Sequence, residues 1–334
     1  MIRNAVRRRR AITIVAAAAG LPLLALPLPR ARQTPRLHVW TGSALGASAM
    51  LQIHHPDAAE ADRLIAQSLD EIARQEAIFS LYRPDSALSL LNRNGHLDSP
   101  PSDLVRLLAE AERFSHLTDG AFDATVQPLW NLYARHFSQP GADQSGPPPA
   151  VIAAALAHVG HDRVQLDAGR VAFASAGMAI TLNGIAQGYI TDRVVDLLRA
   201  QGVTSSLVSV DEVRAIGPMP SGAPWSVGLE DPRAPGNIVD HVALIDRAVG
   251  TSGGYGTQFD AAGRFNHIFN PADGRTSWRY LSVSVIAPDA MTADALSTAF
   301  SLMPLERAEP VVAMLGLQAY FTRPDGSRVM QGRA

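Results

Sequence analysis

Cysteine is absent from this 334-residue chain, which excludes disulfides, thiolate nucleophiles, Cys-ligated metals and a lipid-bearing N-terminal Cys. Lysine is absent as well: all 29 basic residues are Arg. That removes Schiff-base chemistry and any lysine clamp on a phosphate. Charged residues make up only 18% of the chain and aromatics 6%, against 47% hydrophobic residues, so the bulk is expected to fold around a core. No internal repeat of solenoid length occurs, and the length suits one large domain or two small ones.

The N-terminus has the parts of a targeting segment. Arg7, Arg8, Arg9 and Arg10 form a basic run, and residues 11–28 are apolar apart from Thr13, Gly20, Pro22 and Pro27. A basic start, an apolar middle and a small-residue exit predict a signal peptide over residues 1–32 and a single domain over 33–334. The Arg9-Arg10 pair points to the twin-arginine route and a periplasmic destination. Inner-membrane association is the alternative, and Pro22, Pro27 and Pro29 count against a permanent spanning helix. Residues 1–32 hold seven Arg and no acid, so without them 22 basic residues face 31 acidic ones, a net charge of −9. Such a chain is a poor partner for nucleic acid, and chemistry on a phosphate compound would call for a local cation.

Leu64, Ile65, Leu69, Ile72 and Ala73 recur at helical spacing, so residues 59–78 are expected to form an amphipathic helix. Residues 103–114 form a second, with Leu104, Leu107, Leu108, Ala111 and Phe114 inward and Ser102 as its cap. Further helices are expected over 150–158, 191–200, 292–303 and 306–315. Residues 38–53 read as two strands around a Gly-rich turn. Other strands are expected over 206–210, 213–216, 225–229, 239–245, 281–287 and 318–322; the 281–287 stretch alternates Ser with Val and Ile, as a half-buried strand does. Pro, Gly and Ser crowd residues 138–149, which predicts a loop. Strands and helices mix without regular βαβ alternation, so the expected class is α+β.

Four segments carry residue types with chemical use. In Thr181-Leu182-Asn183-Gly184-Ile185-Ala186-Gln187-Gly188-Tyr189, glycines sit where a strand-like run turns into a helix. Backbone can approach a ligand closely there, and helical N–H groups can meet a phosphate; glycine used for packing is the structural alternative. In Thr292-Ala293-Asp294-Ala295-Leu296-Ser297-Thr298, Asp294 and Thr298 lie four apart and share a helix face. A carboxylate with a hydroxyl suits a hard cation such as Mg2+, while Thr292 as cap and Asp294 in the first turn is ordinary helix-start chemistry. Thr251-Ser252-Gly253-Gly254 can form a nest of N–H groups around an anion, and His267 precedes the turn 271–274, where ligand contacts concentrate. In Gly120-Ala121-Phe122-Asp123, an aromatic beside a carboxylate can hold a heterocycle, or simply lead into a buried segment.

Taken in order, these segments resemble the ApbE family from about residue 38 to residue 326. Leu81-Tyr82-Arg83-Pro84-Asp85-Ser86 with Leu91-Asn92 is similar to the family's sTYrpdSelsrlN, and Gly120-Ala121-Phe122-Asp123 with Thr125-Val126-Gln127-Pro128-Leu129 to GaFDpTvgPL. Gly184-Ile185-Ala186-Gln187-Gly188-Tyr189 resembles GIAKGY; Thr251-Ser252-Gly253, His267-Ile268-Phe269-Asn270-Pro271 and Ala293-Asp294-Ala295-Leu296-Ser297-Thr298 resemble TSG, HIiDP and ADALaT.

The resemblance implies an ApbE-like, T-fold-related α+β fold of mixed antiparallel sheets with flanking helices. It implies an Mg2+-dependent transferase that binds FAD, cleaves its pyrophosphate and passes FMN to a Thr or Ser of an acceptor flavoprotein, with AMP leaving. The acceptor expected is a subunit of a periplasmic or membrane redox complex. By carry-over, Gly184 (through its carbonyl), Asp294, Ser297 and Thr298 would hold the metal. Tyr82, Ala121, Phe122, Asp123, Thr181, Gln187, Thr251, Ser252, Gly253 and Ile268 would line the FAD site. His267 ranks first as the proton-handling group, since Asp294 as a tight metal ligand compromises its use as a base. Two departures stand out. Gln187 replaces the family's Lys, and Ser209-Val210-Asp211-Glu212-Val213-Arg214 lacks both glycines of NiGGdir. They keep two alternatives open: a metal-dependent FAD pyrophosphatase, and an exported protein that binds FAD without transferring it.

Overall fold

The chain opens with a hairpin, β1 (Arg36–Ala44) and β2 (Ala47–His55), closed by Gly46 at a left-handed φ of 73°. The structure, a computed structural model, describes residues 34–44, 46–234 and 236–333; the signal peptide expected over 1–32 lies outside the described residues. The hairpin is followed by α1 (Ala58–Phe79), α2 (Ala87–Asn94), β3 (His96–Asp98), α3 (Ser102–Leu117), α4 (Gln127–Ser138), α5 (Pro149–Leu156), β4 (Val164–Leu166) and β5 (Arg170–Phe173). The second half runs through α6 (Ala186–Ala200), β6 (Ser206–Val210), β7 (Glu212–Ile216), β8 (Trp225–Glu230), β9 (Ile238–Leu244), β10 (Ala248–Ser252) and β11 (Ser282–Ala287). It closes with α7 (Ala290–Phe300), α8 (Leu305–Leu315), β12 (Gln318–Thr322) and β13 (Arg328–Gln331).

Eight strands form the main sheet in the order β1-β2-β6-β7-β10-β11-β12-β13, and every neighbouring pair runs antiparallel. Side chains alternate between the faces of a strand, so a strand covered on both sides must bury every residue. β7 is such a strand. Val213 and Ala215 join Trp225, Val227, Leu229, Val242 and Leu244 of the β8–β9 hairpin on the back of the sheet. Ile216, of the opposite parity, joins the main core with Leu198 of α6 and Leu296 of α7. Glu212 and Arg214 share that parity and are also buried, so two charges are driven into the helix-facing interior.

The α+β expectation holds, and most predicted strands and helices are present. The differences have local causes. α3 begins at Ser102 with Pro101 before it and no side-chain cap, because the φ of Pro101 (−55°) already suits entry into a helix. α6 begins at Ala186 rather than at residue 191; Gly188 in its first turn hides the helical signal. α2 and α4 were not expected, although Ser86 caps α2 through the N–H of Ser89 (3.0 Å), Gly95 ends it, and Pro128 stands in the first turn of α4. β11 is buried on both faces rather than half-buried, and the Ser284 hydroxyl is satisfied by Thr251 Oγ1 at 2.8 Å. Among the described residues no helix is long and apolar enough to cross a membrane.

Candidate active site

The site is built where α6 crosses α7 over β7 and β10. Close crossing needs small residues at the contact. A Cβ on Gly188 would stand 2.3 Å from Ala290 O, and one on Gly250 of β10 would stand 2.7 Å from the carbonyl carbon of Ala293. With hydrogen at both places, backbone rests on backbone. The Gly188 N–H, in the first turn of α6, then donates to Asp294 Oδ2 at 3.0 Å. This N–H is therefore committed to the protein's own carboxylate and not offered to a phosphate. α7 is capped by Asp289, whose Oδ1 accepts from Thr292 N at 2.8 Å, so Asp289 and not Thr292 is the cap. Asp294 is thereby released from helix-start duty.

All four expected metal ligands are brought together here. Ser252 Oγ, at the end of β10, lies 2.7 Å from Ser297 Oγ and 3.0 Å from Thr298 Oγ1. A Cβ on Gly184 would stand 2.9 Å from Thr298 Oγ1, so the 181–185 loop lies against the Thr298 hydroxyl. Ser297 Oγ donates to Asp294 O at 2.9 Å, which turns that hydroxyl toward its own helix. In α7 only Met291 and Thr298 escape full burial, and Asp294 lies between them on the same face. A carboxylate and three hydroxyls thus lie about the crossing beside the Gly184 loop, oxygen donors of the kind Mg2+ takes. Among the described residues no cluster of three or more His, Cys, Asp and Glu could hold a metal, so a cation would depend on this mixed set and on oxygens from its substrate.

The electrostatics point the same way. Burial pushes the Asp294 carboxyl well above the usual carboxylate range; the Gly188 N–H works against that, and the charges of Asp211 and Asp192 add to it. Glu212 is raised likewise, by burial first and then by Asp294 and Asp211, although its Oε2 accepts from Thr251 N at 3.1 Å. Asp192 is pushed up to about 6 by burial, while the Arg214 guanidinium opposes the shift. Burial and mutual repulsion thus disfavour the ionised forms of three carboxyls in a dry interior, and a divalent cation would favour them. Sequence reasoning missed Glu212, Arg214 and Asp192 as members of this cluster. The available signal was charge at one parity of an otherwise apolar strand, and an acid one turn beyond Gly188.

The remaining predicted residues surround the crossing through a chain of contacts. Asn92 brackets Ile180, accepting from its N–H at 2.7 Å and donating to its carbonyl at 2.8 Å. Thr181 N donates to Ala124 O at 2.8 Å, which sets the Ala121–Phe122–Asp123 segment beside the Gly184 loop. Within that segment Phe122 is buried edge-on against Phe114, with ring centroids 6.3 Å apart. The Asp123 carboxylate serves its own loop: Oδ1 accepts from Thr125 N (2.7 Å) and Thr125 Oγ1 (2.6 Å), and Oδ2 from His161 N (3.1 Å). Gln187 is buried in the first turn of α6. Tyr82 is 52% exposed just before α2, the most open of the predicted set.

Gly253 and His267 belong to one excursion, residues 253–281, which leaves β10 after Ser252 and returns to β11. Gly253 O accepts from Gly256 N at 3.1 Å, forming a tight turn, and a Cβ on Gly256 would stand 3.1 Å from His267 Cε1. His267 Nδ1 lies 3.2 Å from Thr257 O. A carbonyl only accepts, so Nδ1 is the donor in that contact. Ile268 is buried, and Phe269 packs on Leu129 and Tyr133 of α4.

Fold and site together define an α+β enzyme class in which a Gly-rich loop and a hydroxyl-bearing helix gather oxygen donors at one crossing. The chain belongs to the ApbE family, whose sequence model matches residues 45–321. It is 32% identical over 256 residues to the FAD:protein FMN transferase of Haemophilus influenzae, covering 73% of either chain. With the Salmonella typhimurium protein of the same name it shares 29% identity over 303 residues, 88% of this chain and 86% of that one. Its fold matches the crystal structure of the Thermotoga maritima ApbE protein with a TM-score of 0.79 at 29% identity, over 89% of this chain and 97% of that one. The flavin transferase ApbE of Vibrio cholerae gives 0.77 at 27% identity, over the same shares of the two chains.

Proposed function

We propose that this protein transfers FMN from FAD to a Thr or Ser hydroxyl of an acceptor flavoprotein, with Mg2+, releasing AMP. The observation that carries this is the gathering of Gly184, Asp294, Ser297 and Thr298 about one helix crossing, in a chain whose relatives are named FAD:protein FMN transferase. Gly184 O, Asp294 and Thr298 would hold the cation, with Ser297 close by. When bound, Mg2+ neutralises charge on the pyrophosphate oxygens. The acceptor oxygen attacks the flavin-side phosphorus of FAD, the bond from that phosphorus to the bridging oxygen breaks, and AMP leaves with the bridging oxygen. The acceptor's proton goes to His267 Nε2, the nitrogen opposite the one that meets Thr257 O. The lysine-free site leaves neutralisation of the phosphates to the metal and to Arg or main-chain N–H groups.

The acceptor is proposed to be a subunit of a periplasmic or membrane redox complex, reached by export of the chain through its N-terminal leader. Incubating the protein with FAD, Mg2+ and a candidate acceptor domain should release AMP and add one FMN mass to the acceptor. AMP with free FMN and no mass increment would mean hydrolysis. Retained FAD without AMP would mean binding alone. His267→Ala is expected to keep FAD binding and lose transfer by a factor of about 10²–10⁴.

A further inference from the structure

The α6–α7 crossing is symmetric in a way that the metal ligands alone do not require. Gly188 and Asp192 lie four apart on α6; Ala290 and Asp294 lie four apart on α7. Gly188 N donates to Asp294 Oδ2 at 3.0 Å. In return, Ala290 N donates to Asp192 Oδ1 and Met291 N to Asp192 Oδ2, both at 2.9 Å. Each helix thus has first-turn N–H groups satisfied by a carboxylate of the other. Such groups lack intrahelical partners, and anionic oxygens are favoured at a helix N-terminus. Asp192 is itself held from below: Arg214 Nη1, on β7, donates to Asp192 Oδ1 at 2.6 Å, with both side chains largely buried.

We propose that Asp192, fixed by Arg214, is a positioning residue that sets the start of α7 and so holds Asp294 against the first turn of α6 and, one turn on, Thr298 against the Gly184 loop. This rests on the metal reading given above. Asp192 meets no reacting atom and acts only through α7. The two N–H bonds it accepts fix both the height and the rotation of the first turn of α7. One turn on, that rotation decides where the Asp294 carboxylate points. Arg214 and the two N–H groups favour the ionised form of Asp192 against its burial.

The test uses the full chain with FAD and measures the Mg2+ concentration for half-maximal thermal stabilisation, together with FAD affinity without metal by flavin fluorescence. Asp192→Asn and, more mildly, Arg214→Lys are expected to raise the Mg2+ requirement, by about 10–100-fold for the first, with metal-free FAD affinity unchanged. An unchanged Mg2+ requirement in Asp192→Asn would overturn the positioning role. So would an equal weakening of metal-free FAD binding, which marks general loosening. Should Asp192→Asn fail to fold, Arg214→Lys decides by the same two readings. Asp294→Ala separates the two ideas. If it abolishes the Mg2+ response while Asp192→Asn leaves it intact, only the positioning role falls. If it keeps the response, the metal reading falls and the positioning role with it.

Discussion

Replacing Gly188 by Ala perturbs the helix crossing with a single methyl group. The added carbon would stand 2.3 Å from Ala290 O, 2.6 Å from Ala290 C and 2.7 Å from Met291 Cα, all of them backbone atoms that no rotamer change can move. Non-bonded contacts settle near about 3.5 Å, so α6 and α7 must part by about 1 Å. Overpacking of this kind costs about 1–3 kcal/mol. Stretching the N–H bond to the Asp294 carboxylate costs a further 1.5–3 kcal/mol or so. Alanine's better helix propensity returns about 1 kcal/mol. The net expectation is a loss of about 1.5–5 kcal/mol, seen in calorimetry as a fall in Tm of about 2–8 °C. A displacement of about 1 Å at reacting groups also lowers rate by roughly 10²-fold, which single-turnover AMP release would report. A variant with Tm within about 2 °C of the parent and unchanged single-turnover rate would refute the reasoning, because the helices would then have room that the structure denies them.

Three further outcomes follow from the same geometry. Asp294→Asn keeps an acceptor for the Gly188 N–H but removes the carboxylate, so the metal-free protein should fold while Mg2+ with FAD no longer raises Tm; a persisting Mg2+ shift would count against Asp294 as ligand. Trp225, buried on the back of the sheet with Nε1 donating to Gly217 O at 3.2 Å, should cost about 3–5 kcal/mol when cut to Ala, yet leave the Mg2+ requirement unchanged in titrations below the new Tm. Asp192 has a folded pKa of about 6 against an ordinary 3.8, so its contribution to stability is complete below pH 3.8 and is lost as pH rises through 6. At 1.36 kcal/mol per pH unit this is worth about 3 kcal/mol, and Asp192→Asn should flatten the stability profile between pH 4 and pH 6.5 by a comparable amount; an unaltered slope in denaturant titrations would place the titration elsewhere.

Much of the site could be read before folding because its parts are local. Asp294 and Thr298 share a face by helical spacing alone, and Ser252 and Gly253 are neighbours in sequence. Capping was harder to assign. Thr292 and Ser102 have the right chemistry at nearly the right places, yet Asp289 and Pro101 occupy the cap positions. A cap depends on the φ and ψ of one residue, which neighbours three or four positions away can shift. Phe122 shows the same limit: beside Asp123 it resembles a ring-stacking pair, but the ring lies in the core against Phe114.

The sequence by itself determined the class of fold, the amphipathic helices, the absence of thiol and lysine chemistry, and the motifs that identify the family. Those follow from composition and from the 3.6- and 2-residue periods, which neighbouring residues alone establish. Only the tertiary structure decided that residues 188 and 294, 192 and 290, or 212 and 251 would meet. Such contacts depend on how closely two helices can cross and on which face of β7 is turned inward. Both were settled by the missing side chains of Gly188 and Gly250 and by the hairpin that covers the back of the sheet.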